Sequence, residues 1–194
     1  MDETPEAPTP RRRGRPARGS GLTERVILDA ALTHLETNRD AFTMRALART
    51  LGTDVMAIYH HYPNKAALVA AAVRAAFAPL DDDHLLDDEQ DVPARVETLA
   101  AHYLRVIRAY PGLTLDIAAG KVDAEHVVRR FDTLFAQAAA PLALDEPDAR
   151  RAGHVLVDYL HGHILGSDVA HDDWRYGVRL LTLGLQQLRA PKGA

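Results

Sequence analysis

Cysteine is absent from this chain. That removes disulfides, thiolate metal sites and cysteine nucleophiles at once, and it agrees with a reducing, cytoplasmic setting. No run of about 18 uncharged apolar residues occurs, so no membrane span is expected. The opening MDETPEAPTPRRRGRP has no apolar core after its charges and does not read as a secretory signal. No segment alternates β-branched and polar residues between turns, and no internal repeat is found. Three catalytic signatures are also missing: a Gly-rich phosphate loop, a His-Glu-x-x-His helix and a Gly-x-Ser-x-Gly elbow. No cofactor and no enzymatic activity are expected.

What is present is the balance of an ordinary globular protein, 47% hydrophobic and 26% charged over 194 residues, enough for one or two compact domains. The net charge of -4 hides a division along the chain. Residues 11–77 carry eleven Lys/Arg against five Asp/Glu, whereas residues 78–194 carry twelve against nineteen. A basic segment joined to an acidic body keeps nucleic acid open as a partner.

The pattern reads all-α, with about nine helices in four stretches. Residues 1–21 hold prolines, a basic run and no hydrophobic periodicity, and read as a disordered basic arm. Residues 22–77 hold a first helix of about 23–37, then two short helices joined by Leu51-Gly52, then an alanine-rich helix from Asn64 to about Phe77. Residues 78–91 read as an acidic linker. Residues 92–194 hold helices at about 92–109, 113–119, 123–140, 147–169 and 171–189.

Two short helices with a glycine turn inside a basic region describe a helix-turn-helix DNA reader; a plain helical bundle with a tight turn is the alternative. Polar residues on the outer face, Arg45, Tyr59, His60, His61 and Lys65, favour the first. The stretch TMRALARTLGTDVMAIYHHYPNKAALV resembles the DNA-binding signature of the tetracycline-repressor (TetR) family, closely over residues 23–70 and in length and helical order over the whole chain. That resemblance implies an N-terminal three-helix DNA-binding domain and a C-terminal domain for effector binding and dimerisation. Carried over position by position, it puts Thr43 and Arg45 at the start of the bracing helix, with Arg45 reading a base. Val55, Met56 and Ala57 fall in the first turn of the recognition helix, where the family often has a polar reader. Three apolar side chains there can touch thymine methyls but cannot read hydrogen bonds, so specificity would lean on Arg45 and His60. Tyr59, His61 and Lys65 match phosphate-contacting positions. In the arm, Arg13 and Arg15 flank Gly14 as in a minor-groove AT-hook core, or serve as a generic electrostatic tether.

In the body, Gly177, Leu181, Gly184 and Leu188 share one face of the last helix, and Val155, Tyr159, Gly162 and Gly166 share one face of the helix before it. Small residues alternating with large ones let another helix approach, and we expect a homodimer interface there; packing within one protomer is the alternative. His154, Asp158 and His161 form a stripe at i, i+4, i+7. It reads as a structural network, as polar anchors of an effector pocket, or as a metal site, in that order. Further pocket candidates are His102, Tyr103, Ile107, Leu115, Phe131 and Phe135, a mix that leans towards an uncharged or aromatic effector. The function expected is a ligand-responsive regulator, a repressor released from a palindromic double-stranded operator by a small molecule. The alternatives are a metal-dependent or acid–base helical enzyme built on the stripe, and a non-specific architectural DNA binder.

Overall fold

A computed structural model describes residues 22–37, 41–87, 90–166 and 173–187. The arm with Arg13 and Arg15, and Leu188 near the C-terminus, lie outside the described residues. Within them are nine α-helices and no strand: α1 Glu24–Thr37, α2 Met44–Leu51, α3 Val55–His61, α4 Lys65–Phe77, α5 Val92–Ala109, α6 Pro111–Ala118, α7 Glu125–Ala139, α8 Glu146–Gly166 and α9 Trp174–Gln187.

Local chemistry sets the short helices of the N-terminal unit. The Thr43 hydroxyl accepts from Ala46 N–H, the Asp54 carboxylate from Met56 N–H and the Asn64 side chain from Ala67 N–H, each satisfying an N–H left over at a helix start. Gly52 stops α2 in the left-handed region at φ 62°, where a side chain would be strained. Ile27, Leu47, Ile58 and Leu68, one from each of α1 to α4, are fully buried and close this unit's core.

The body is a bundle in which α5 packs against α7, α8 and α9, while α6 leans on α1 and α4 touches α7. After α4, Asp81, Asp82 and Asp83 stay exposed while Leu80 and Leu85 turn inward. Arg130 of α7 fastens that stretch, donating to the carbonyls of Leu80 and Asp82. One boundary differs from expectation. Pro111-Gly112 opens α6 instead of breaking the chain, because proline's missing N–H costs nothing in a first turn.

Candidate nucleic-acid interface and body cavity

On the N-terminal unit, α3 buries Ile58 and turns Met56, Tyr59 and His60 outward. Val55, Ala57 and His61 lie half-buried at its margins, and Arg45 is exposed on the neighbouring α2. Thr43 is exposed, although its hydroxyl is occupied as a cap acceptor. Lys65 is also committed in part: its ammonium donates to the Phe42 carbonyl at 2.7 Å and sits 5.1 Å from the centre of that ring. It braces the loop before α2 and keeps two further N–H donors.

The body holds a cavity of about 300 Å³ between α4, α5, α6, α7 and α8. Phe77, Tyr103, Ile117, Val127, Phe131 and Val157 make its apolar wall, and Asp132, His154 and Asp158 its polar groups. The exposed lining residues Val128, His154 and Asp158 set its mouth between α7 and α8. Tyr103 anchors an aromatic cluster, edge-on to Phe131 at 5.0 Å between centroids and 6.0 Å from Phe77. A second, smaller cavity of about 80 Å³ lies across Thr114 from the first, lined by Ile107, Leu115, His161, Ile164 and others.

The stripe His154, Asp158, His161 therefore divides. His154 faces Asp132 of α7, with Nε2 3.5 Å from Oδ1. His161 turns the other way and shares a hydrogen bond of 2.9 Å between its Nε2 and the Tyr103 hydroxyl. Burial lowers the His161 pKa, with Asp158 opposing, so the ring favours its neutral form. Burial, helped by the Asp158 charge, holds the Tyr103 hydroxyl protonated well above its ordinary value. Among the described residues no group of three or more His, Asp or Glu is placed to hold a metal ion.

Other expected pocket residues lie elsewhere. Phe135 is core: its ring packs on Gly153, where a Cβ would stand 3.3 Å away. His102 lines neither cavity, and burial, with Arg105 nearby, lowers its pKa. Two residues that the sequence reading passed over matter more. The Oδ1 atom of Asp132 is sealed from solvent with no hydrogen-bond donor. The Glu36 carboxylate, from the end of α1, accepts from the N–H groups of Gly112 and Leu113 and so ties the N-terminal unit to α6. A carboxylate is disfavoured at the C-terminal end of its own helix, and that misplacement was the available signal for Glu36.

The outer faces of α8 and α9 carry Val155, Leu165, Tyr176, Leu180 and Leu183, each more than half exposed. Gly162, Gly166 and Gly184 leave open space beside them. Gly177 does not: a Cβ there would meet the Tyr159 ring at 2.1 Å, so this glycine admits Tyr159 within the same protomer. Leu181 is half-buried, and the exposed stripe of α9 runs one position earlier than expected, through Tyr176, Leu180 and Leu183.

A capped helix-turn-helix stands on a helical body with its own cavity, an all-α architecture among the described residues. Residues 27–72 match the family model described as bacterial regulatory proteins, tetR family. The chain is 32% identical over 94 residues to the nucleoid occlusion factor SlmA of Aliivibrio fischeri, a match covering 45% of this chain. It spans about half of that relative's own length, 47%. Among solved structures, a TetR from Streptomyces coelicolor superposes with TM-score 0.69 at 22% identity, covering 88% of this chain and all of that one. A TetR from Acinetobacter baumannii in complex with minocycline gives 0.67 at 22% identity, over 88% and 99% of the two chains. BioQ with its double-stranded DNA operator gives 0.64 at 20% identity, over 86% and 99%. Residues 27–72 thus match the tetR family model, and the described residues share the fold of these TetR structures over most of the chain.

Proposed function

We propose that this protein is a ligand-responsive transcriptional repressor, acting in the cytoplasm as a homodimer on a palindromic operator. The observation that carries this reading is the Glu36 tie: the helix-turn-helix unit is fastened to α6, and α6 lends its side chains to both of the cavities described above.

In this reading α3 enters the major groove with Met56 and Ala57 against thymine methyls. Arg45 reaches guanine O6 and N7, and Tyr59, His61 and Lys65 meet phosphates. His60, exposed beside them, supplies the other polar contact to a base edge. The exposed apolar faces of α8 and α9 pair with those of a second copy in a four-helix interface, which sets two α3 helices in successive major grooves, about 34–36 Å apart. A molecule in the larger cavity presses on Thr114 and Ile117 of α6. Through Glu36, that pressure shifts α1 and with it the spacing of the two recognition helices. To reverse a 99:1 population the effector must favour the released state about 10⁴-fold.

The test is selection of bound duplexes from a random pool, with Arg45→Ala run in parallel. A palindromic consensus that loses its preference at one symmetric base pair in the variant supports the reading. Binding without any enriched sequence overturns it.

A further inference from the structure

We propose that the effector cavity is built for an organic cation: a protonated amine or quaternary ammonium carried on an apolar or aromatic body. This rests on reading the cavity as the effector site, and it goes further by naming the chemistry that site selects.

Three observations converge. First, the charged side chains that line the cavity are acidic, Asp132 from α7 and Asp158 from α8, and neither Lys nor Arg is among the lining residues. Second, Asp132 Oδ1 is buried with its acceptor capacity unused. A carboxylate with a buried, donor-less oxygen is costly, and a positive charge in the cavity offsets that cost through space, without touching the sealed atom. The nearest protein candidate, His154 Nε2, stands off at 3.5 Å. Third, the lining includes aromatic rings: Tyr103 lies 5.0 Å from Phe131 and 6.0 Å from Phe77 between ring centroids. Aromatic faces attract a cation and also accept the flat apolar body that would carry it. Tyr103 cannot supply a competing positive charge, and its hydroxyl is already engaged with His161.

Each alternative ligand charge meets an obstacle. An anion would approach two carboxylates, and the lining residue that can become positive, His154, already faces Asp132 Oδ1 at 3.5 Å. A neutral apolar molecule would displace water from the carboxylates at the cavity and offer them no charge in return. A cation turns both carboxylates from a penalty into an attraction, strengthened by the low dielectric of the cavity.

The test uses three naphthalene probes of matched size on the full-length protein, read by isothermal titration calorimetry: trimethyl(naphthylmethyl)ammonium, naphthylmethanol and naphthylacetate. The ammonium probe should bind at least about tenfold more tightly than the other two. Asp132→Asn and Asp158→Asn should each weaken it about tenfold or more while leaving naphthylmethanol unchanged. Val157→Phe, which narrows the cavity with a non-polar group, should weaken all binding, and circular dichroism confirms that each variant is folded. Equal or tighter binding of the alcohol or the acetate overturns the cation assignment but leaves the effector reading standing. Ammonium binding indifferent to both Asn variants overturns it as well. No binding by any of the three overturns both.

Discussion

The carboxylate of Glu36 bridges the start of α6: Gly112 N–H approaches its Oε1 at 2.8 Å and its Oε2 at 3.0 Å, and Leu113 N–H approaches Oε2 at 3.2 Å. One side chain in the last turn of α1 thus caps a helix start 76 positions further along. A negative charge at a helix N-terminus satisfies free N–H groups and meets the positive end of the helix dipole. Because α1 packs on α2 and α4, a displacement of α6 reaches the helix-turn-helix through a charge-assisted contact instead of through loose loop chain.

Glu36→Gln should cost about 1–2 kcal/mol of folding stability, the range for a charge-assisted cap. It should also weaken the coupling between cavity occupancy and DNA release while leaving DNA affinity of the unliganded protein nearly unchanged. Chemical denaturation and DNA titration with and without a bound cavity ligand measure the two effects. Unaltered coupling in a folded Glu36→Gln variant would show that the signal travels elsewhere, for instance through α4 and Arg130.

Leu180→Asp and Leu183→Arg should each convert a dimer into a folded monomer, because they place charge in the middle of the exposed α9 stripe. Sedimentation velocity reads the mass, and specific DNA affinity should fall with it. A dimer that survives both substitutions would put the interface on another face.

Gly177→Ala tests the packing of α8 on α9. A Cβ would force the Tyr159 ring aside and break the hydrogen bond its hydroxyl donates to the Trp174 carbonyl at 3.1 Å. The expected cost is about 1 kcal/mol, modest because a ring end can move more easily than backbone. In Tyr159→Ala the same glycine substitution should cost almost nothing. Equal costs in both backgrounds would refute the contact.

His161 gives the body an acid-sensitive element. Its pKa is lowered in the folded chain by burial, so below the ordinary histidine value of about 6.5 the unfolded chain binds more protons than the folded one. The stability contributed by its neutral ring is complete above about pH 6.5 and is lost as pH falls below it. His102 acts in the same direction. Thermal melts between pH 7.5 and pH 5, about the histidine range, should show a shallower acid decline in His161→Gln than in the natural chain. Parallel declines would contradict this.

Much of the fold was legible because its signals are local. Thr43, Gly52 and Asn64 each state a helix boundary in their own chemistry, and of the two candidates Thr53 and Asp54 the structure uses Asp54 as the cap of α3. The order of the body helices followed from apolar spacing and breaks. The cavity was legible only in part, because a wall is made by residues remote in sequence. Tyr103, Phe131, His154 and Asp158 were visible as polar or aromatic members of helices. Asp132, between Phe131 and Thr133, carries no local signal of burial, yet its Oδ1 is sealed where α7 packs on α8. The one-residue offset on α9 is likewise a matter of remote contact: Gly177 and Leu181 share the expected face, but Gly177 is covered by the Tyr159 ring of the same protomer.

The most direct measurement is fluorescence anisotropy of the protein on its selected operator, titrated with molecules that calorimetry has placed in the cavity. Molecules that bind the cavity should lower operator affinity in the natural chain, and the effect should vanish in Val157→Phe. Operator affinity that stays constant while the cavity fills would contradict a ligand-responsive repressor.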